Sequence, residues 1–250
     1  MSMLSISIIT PTVRPELIEI VHKCLRRQTF RNFEWIIVSP KSVKPTIQDM
    51  DVLGAWIDEP IKRAGDHYGL NKAWNEGLRH ATGELFVSIV DGLWFPPDTL
   101  EKLWYHYQND NKSCVGGIGH QYDRIENGKP EHKVWSDPRV RLDQGSFYEI
   151  KPMDFELCLA SIPMRAVKDV GGFDEEYDKY AALSEKELCY RIDLLGYKFY
   201  LDQTMEYRAI QHPRLTPDWD TKYEEGVDIF HKHIFEIQQG KRRKLDFLKS

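Results

Sequence analysis

Asp91 is the side chain whose position most directly suggests chemistry. It follows the short apolar run Leu85–Val90, which is typical of a strand buried in a parallel sheet. Open α/β sheets bind their ligands at the carboxyl ends of the strands. A carboxylate in that position predicts a phosphorylated ligand, because carboxylate and phosphate oxygens together can hold a hard divalent cation.

Glu185 is the second candidate, as a proton acceptor. The segment SEKE predicts the start of a helix, with Ser184 as N-cap and Glu187 completing a capping box or pairing with Arg191. The spacing of Glu185 from the apolar residues that follow directs it toward the buried face. The helix macrodipole favours its ionised form, as a general base requires. An acid that only complements the helix dipole is the alternative interpretation.

The elements that position these side chains alternate between strand and helix. This order predicts an α/β fold: a Rossmann-like, mostly parallel sheet flanked by helices in a single domain with a C-terminal helix. The predicted strands are Ser5–Ile9, Glu34–Ser39, Leu53–Ile57, Leu85–Val90, Cys114–His120 and Lys198–Asp202. The predicted helices are Pro15–Gln28, Leu70–Ala81, Asp98–Asn109, Glu185–Leu195 and Asp218–Gln239. The segment Gln121–Glu149 has no clear period and predicts a long irregular loop, either functional or a surface excursion.

Composition excludes several classes of protein. The 250 residues can bury one substantial core, and a net charge of −5 gives no general attraction to nucleic acid or anionic membranes. The four cysteines are widely spaced, which predicts reduced thiols rather than a disulfide framework or a zinc site. The N-terminus lacks a signal-peptide pattern, and no apolar run approaches the roughly 20 residues of a membrane span. We therefore expect a cytoplasmic protein without a transmembrane segment.

The predicted helix Leu70–Ala81 and its surroundings carry a family motif. GLNKAWNEGLRHATGE resembles the helix written G-x-x-x-A-x-N-x-G-x-x-x-A-x-G-E in family 2 glycosyltransferases. The matching residues are Gly69, Ala73, Asn75, Gly77, Ala81, Gly83 and Glu84. The opening SIIT-PT and the later VGGFDEEYDKYAALSEKELCYRIDLLGYKFYLD resemble two further segments of that family, in the same order.

The resemblance runs from about Ser5 to His212 and implies a GT-A fold. It divides residues 1–215 into a donor-binding half, about 1–110, and an acceptor half, about 111–215. Residues 216–250 then form a C-terminal helix and a basic tail.

The resemblance also implies a set of donor-binding residues. These are Thr10, Pro11, Thr12, Arg14, Asp58, Arg63, Asn71, Asn75 and Asp91. Turn chemistry or a solvated surface is the alternative interpretation for several of them. The turn after the second strand reads Ser-Pro-Lys-Ser and lacks the acid with which the family commonly reads the nucleobase, so the nucleotide is not predicted.

The expected metal site is degenerate. The family's strand usually ends in D-x-D, whose carboxylates hold a divalent ion on the donor diphosphate, but here the triplet is Val90-Asp91-Gly92. One carboxylate with substrate phosphates and water can still hold Mg²⁺ or Mn²⁺. His212 resembles the family's late histidine, which reaches the metal or the diphosphate. We therefore expect Mn²⁺ or Mg²⁺ at Asp91 and His212.

The implied function is that of a hexosyl- or pentosyl-transferring glycosyltransferase. A sugar would pass from a nucleotide-diphosphate donor to a hydroxyl acceptor with inversion, and Glu185 occupies the position of the family's catalytic base. The eroded D-x-D leaves a non-catalytic nucleotide-sugar binding protein as the alternative. A nucleotidyltransferase is a third reading, which the first loop does not favour because it lacks a Gly/Arg/Lys-rich pattern.

The C-terminal helix carries a continuous apolar stripe. Its members are Trp219, Tyr223, Val227, Phe230, Ile234 and Ile237. The spacing predicts packing on the domain's own core, with a homodimer seam as the alternative. The tail KRRKLDFLK predicts a solvated basic end, with contact to acidic lipid or a partner as the alternative.

Overall fold

The computed structural model describes most of the chain. It covers residues 5–40, 47, 52–57, 69–141, 143–180, 183–211, 219–242 and 244–248, with backbone only for 52–57 and 219. Three residues of the predicted site, Asp58, Arg63 and His212, therefore lie outside the described residues.

Ten strands of the described chain form one mixed, mostly parallel sheet, which confirms the predicted α/β architecture. The strands are β1 Ile6–Pro11, β2 Phe33–Pro40, β3 Val52–Ile57, β4 Leu85–Ile89, β5 Leu93–Trp94, β6 Ser113–Glu126, β7 Lys129–Trp135, β8 Phe147–Ile150, β9 Leu159–Pro163 and β10 Lys198–Ile210. Their order is β3-β2-β1-β4-β9-β6-β10-β5, with β7 on β6 and β8 on β10. The first four neighbours are parallel, and β9 is inserted antiparallel between β4 and β6.

Helices cover both faces of the sheet. They are α1 Pro15–Leu25, α2 Leu70–His80, α3 Thr99–Asn109, α4 Met164–Asp169, α5 Ser184–Asp193 and α6 Trp219–Gln238. The apolar residues of α1 and α3 pack on one face, and those of α2, α4 and α5 pack on the other. Two buried cores therefore enclose the central strands, whose carboxyl ends remain at one edge.

The predicted irregular segment Gln121–Glu149 is largely strand. β6 runs on to Glu126 and turns at Asn127-Gly128, where both residues have positive φ, into the antiparallel β7. An Asn-Gly pair between strands is the strongest local signal for a tight hairpin. The prediction was wrong because exposed hairpin strands carry polar residues on both faces and show little periodicity. The turn residues Asn127-Gly128 are the local signal for this hairpin.

The C-terminal helix packs on its own domain, as the stripe predicts. Phe230 is buried with Tyr177 and Leu183, and Val227 and Ile234 pack around them. Across the described parts of the chain, no helix combines the length and apolar character needed to cross a bilayer.

Gly77 of the family motif lets α2 lie directly on β1. A Cβ atom there would meet the Cγ2 atom of Ile9 well inside van der Waals distance and would lie 3.2 Å from the Cγ2 atom of Val38. The motif glycine therefore sets the distance between helix and sheet.

Gly77→Ala should lower the free energy of unfolding by about 1–3 kcal/mol, despite alanine's better helix propensity, because overpacking forces the helix away from the sheet. Urea denaturation followed by circular dichroism measures the change. Leu70→Ala, which shortens an exposed side chain of the same helix, is the control. An unchanged midpoint for Gly77→Ala would show that the contact carries no strain.

Candidate active site

Asp91 lies at the carboxyl end of β4, where it is bound to the turn that follows β1. Its Oδ2 atom accepts a hydrogen bond from Thr12 Oγ1 at 2.8 Å and one from Arg14 Nε at 3.2 Å. Its Oδ1 atom is paired with Arg14 Nη2. The Asp91 side chain is only 3% exposed, so this guanidinium supplies the countercharge that a buried carboxylate needs. The structure thus brings Thr12, Arg14 and Asp91 together.

Arg14 retains an unused donor at this edge. Its Nη1 atom is buried and has no hydrogen-bond partner. Leaving such a group unpaired costs about 1–3 kcal/mol. Arg14 is also the N-cap residue of α1, so the guanidinium and the positive end of the helix dipole lie on the same side of the sheet. The arrangement is suited to an anion.

Thr10 differs from the rest of the predicted donor loop. Its hydroxyl is fully buried and accepts a hydrogen bond from Trp35 Nε1 at 3.0 Å, which directs it into the core. Pro11, the last residue of β1, is half-buried beside Thr12. Thr10 and Thr12 are two residues apart, so the alternation of a strand predicts the same face for both, and residue type does not distinguish them. The expected donor contact of the Thr10 side chain is therefore corrected to a structural role.

Asn71 and Asn75 also make structural contacts. Asn75 is fully buried, accepts from Phe173 N at 2.8 Å and donates to Phe173 O and Glu175 Oε1 at 2.9 Å. Asn71 Nδ2 donates to Asp178 Oδ1 at 2.9 Å. The structure holds both amides against the segment 173–178, although Asn71 Oδ1 has no hydrogen-bond partner in the described chain, so their contact with the donor stays a prediction.

Asp178 is a residue that the sequence analysis missed. Its carboxylate accepts hydrogen bonds from the backbone N–H groups of Asn71 and Lys72 at 2.7 and 3.1 Å, and so caps α2 from a distant part of the chain. Burial raises the pKa of Asp178 from its usual value, while these hydrogen bonds act in the opposite direction. The only signal in the sequence is the acidic run that precedes the Glu185 helix.

The predicted capping box at α5 is wrong. The helix begins at Ser184, the N-cap residue is Leu183 with a left-handed backbone, and no side chain caps the helix. Glu187 instead pairs with Arg191, which is the other role foreseen for it, and both side chains are fully buried. The pairing of two buried charges outweighs the local capping preference.

Glu185 lies in the first turn of α5 with a partly exposed side chain. Its Oε1 atom is 3.9 Å from the Nζ atom of the buried Lys186. Lys186 donates hydrogen bonds to Phe155 O at 2.6 Å and to Glu156 Oε1 at 2.7 Å. Lys186 therefore joins the candidate base to the segment that leads into β9. It is a second residue that the sequence analysis missed.

The surroundings raise the pKa of Glu185 from its usual value. Burial is the main cause; the positive charge of Lys186 opposes it, and the negative charge of Glu156 adds to it. For Lys186, burial lowers the pKa, but the charges of Glu185 and Glu156 outweigh it and the net pKa is raised. A carboxylate with a raised pKa is a stronger proton acceptor, as a general base near neutral pH should be.

Cys158 connects the two halves of the site. Its carbonyl accepts a hydrogen bond from Val90 N at 3.1 Å, next to Asp91. Burial raises the pKa of the Cys158 thiol to about 12, and the charges of Glu156 and Glu185 contribute in the same direction. The Glu185 carboxylate and the end of β4 therefore flank the same short segment.

The basic tail is not a solvated end. Arg242 Nε donates to Glu187 Oε1 at 3.1 Å, and Arg242 Nη2 pairs with Asp174. Leu245 N donates to Val170 O at 2.9 Å, and Leu248 packs on the core. The buried carboxylates recruit Arg242 because each of them needs a positive partner.

Asp91 does not fit a divalent metal. Both of its oxygens are engaged by Thr12 and Arg14, and a cation would compete with the guanidinium for them. Enzymes of the GT-A type often use a divalent metal, and one group in the described chain could hold one: Asp174, Glu176 and His233 offer ligand atoms within 4.8 Å of one another. Arg242 already pairs with Asp174 in that group, at the junction of α6 with the 3-10 turn Glu175–Lys179.

Comparison with known proteins identifies the family. The family model described as glycosyl transferase family 2 matches residues 5–167. The chain belongs to this family, which confirms the resemblance seen in its motifs. A search of curated proteins finds no match.

Solved structures show the same fold. A crystal structure of S. aureus TarS, residues 1–349, superposes with a TM-score of 0.61 at 15% identity and covers 92% of this chain and 65% of that one. The structure of TarS 1–349 in complex with UDP-GlcNAc gives 0.63 at 14% identity, with 92% and 66% covered. The chain thus has the expected GT-A fold and spans just under two thirds of these TarS structures.

Arg242→Met should lower the free energy of unfolding by roughly 3 kcal/mol, the low end for breaking a buried ion pair, because Glu187 and Asp174 lose a partner. Chemical denaturation measures the loss. The matched control is Lys241→Met, which changes an exposed neighbour and should have little effect. Equal stability of the two variants would contradict the assigned role of Arg242.

Proposed function

We propose that this protein transfers a sugar from a nucleotide-diphosphate donor to a hydroxyl acceptor with inversion at the anomeric carbon. The observation that carries the proposal is the junction at the carboxyl ends of β1 and β4. There Arg14, whose Nη1 atom has no hydrogen-bond partner among the described residues, pairs with Asp91. The carbonyl of Cys158 accepts a hydrogen bond from Val90 N. Lys186, which lies 3.9 Å from Glu185 Oε1, binds Phe155 and Glu156 of the same segment. Membership of family 2 supports the reaction class.

UDP-GlcNAc is the first donor to test, because the TarS structure, with the same fold, is in complex with it. Release of UDP in the presence of a panel of glycan, lipid and protein hydroxyl acceptors measures transfer. A thermal-shift panel of nucleotide sugars tests the choice of nucleotide independently.

Glu185 is proposed as the base of this reaction. The acceptor hydroxyl oxygen forms a bond to the anomeric carbon, the bond from that carbon to the diphosphate breaks, and Glu185 takes the hydroxyl proton. The electron pair of the broken bond leaves with the diphosphate. The raised pKa of Glu185 suits the proton transfer. The negative charge of the leaving diphosphate must be stabilised by other residues, at the donor side of the site.

Glu185→Gln should lower kcat by about 10²- to 10⁴-fold, the usual contribution of a general base, while the affinity for the donor stays within a few-fold. Steady-state kinetics and calorimetric titration with donor separate the two effects. Glu149→Gln, an exposed glutamate on β8, is the matched control. Wild-type turnover in Glu185→Gln would remove Glu185 from the mechanism.

The pH profile should respond to the two charges beside Glu185. The base works only when ionised, so activity falls as the pH drops through its raised pKa. Lys186→Met removes the positive charge that lowers this pKa and should move the acidic limb of kcat to higher pH. Glu156→Gln removes a charge that raises it and should move the limb to lower pH. Shifts in the same direction would show that the limb belongs to another group.

A non-catalytic nucleotide-sugar binding protein is the second candidate, favoured by the missing outer acids of the D-x-D triplet. It predicts measurable binding of nucleotide sugars with no transfer to any acceptor. It also predicts that Glu185→Gln leaves every measured property unchanged.

A further inference from the structure

The packing at the end of β4 disfavours a metal site, in addition to the absence of the two outer acids of the D-x-D triplet. Val90 packs against both hydrophobic cores, so its position faces apolar side chains. A Cβ atom at Gly92 would lie 2.6 Å from Ile210 Cγ2 and 3.3 Å from Leu17 Cδ1, and the backbone there has a positive φ of 73°. A carboxylate at position 90 would lie against apolar side chains, and any side chain at position 92 would clash in this backbone.

Asp91, the middle residue of the triplet, is also engaged by protein groups. Asp91 directs both carboxylate oxygens at Arg14 and Thr12 and is almost completely buried. An aspartate that ligates a cation needs an oxygen free toward the substrate. The more exposed partner of this ion pair is instead the positive one, because the Arg14 side chain is 21% exposed and that of Asp91 only 3%.

We propose that Arg14 takes the place of the metal and binds the diphosphate of the donor. Arginine presents its donors in a rigid fork, so two of them, Nε and Nη2, can hold Asp91 while Nη1 is left for a phosphate oxygen. Asp91 is then a positioning residue that orients the guanidinium. This inference rests on the proposed function, since it concerns the donor of that reaction.

The assignment has a chemical consequence for the transfer step. When the bond between the anomeric carbon and the diphosphate breaks, the electron pair moves onto the phosphate oxygen. A guanidinium already paired with Asp91 stabilises that charge as a preorganised donor. Donor binding and sugar transfer are therefore independent of divalent cations.

Isothermal titration calorimetry tests the proposal by comparing the affinities of nucleotides that carry two phosphates and one phosphate. UDP, GDP, ADP and CDP are titrated in EDTA and again in Mn²⁺, and the tightest is compared with its monophosphate. The wild-type affinity for the diphosphate should be the same in both buffers within about twofold. Arg14→Met should weaken binding of the diphosphate by about 10- to 100-fold, which is the typical contribution of hydrogen bonds to charged groups. It should weaken binding of the monophosphate by less than about threefold.

Three variants separate binding from folding. Arg14→Lys keeps the charge but loses the fork and should give an intermediate loss. Arg14→Met/Asp91→Asn removes the buried charge left by Arg14→Met and should show the same diphosphate loss in a stably folded protein. Arg31→Met, an exposed arginine before β2 at the opposite edge of the sheet, should match the wild type.

Each of the other possible results would overturn a specific part of the proposal. Binding that requires Mn²⁺ and is lost in Asp91→Asn would overturn the role of Arg14 and restore the metal, with the proposed function intact. If Arg14→Met weakens binding of the diphosphate and the monophosphate equally, Arg14 has only a structural role. If folded wild-type protein binds none of the four diphosphates, both the donor site and this inference are wrong.

Discussion

The pairing of Arg14 with Asp91 is the interaction on which the carboxyl ends of β1 and β4 depend. A carboxylate buried at the end of a central strand is costly unless a positive group meets it. The guanidinium meets it from the turn after β1, and the Thr12 hydroxyl completes the contact. One ion pair thus sets the path of the turn, the start of α1 and the charge that the site presents to a ligand.

A second network of buried charge surrounds the first turn of α5. Arg191 donates to Glu187 on its own helix and to the carbonyls of Val170 and Gly172, and Arg242 reaches Glu187 from beyond α6. These contacts fix the N-terminal turn of α5, where Glu185 lies. The C-terminal segment, which lies outside the residues matched by the family model, therefore takes part in placing the candidate base.

The antiparallel strand β9 joins the two halves. It lies between β4 and β6, and the segment before it passes both Val90 and Lys186. Burial and the negative charge of Glu156 raise the pKa of Glu185 here, and the positive charge of Lys186 opposes that rise. The charges beside Glu185 and the charge beside Asp91 are thus set by different parts of the chain around one sheet.

Local patterns were sufficient for much of the fold. The helices α1, α2, α3 and α5 and the buried strands β1, β2 and β4 were predicted to within a few residues, because each buries a continuous apolar face or run. The buried strand β9 was not predicted, and β10 runs eight residues beyond its predicted end. The family motif predicted Asp91 and Glu185 as site residues. The hairpin of β6 and β7 was missed although Asn127-Gly128 marks it, because its strands are polar on both faces.

The sequence by itself determined which elements form, which family they belong to and that an acid stands at the end of β4. Only the tertiary structure decided what those side chains face. Arg14 and Asp91 are 77 residues apart, Asn71 and Asp178 are 107 apart, and Glu187 and Arg242 are 55 apart. Partners at such separations leave no local periodicity. The cost of burying a charge or an amide selects them only once the chain has folded.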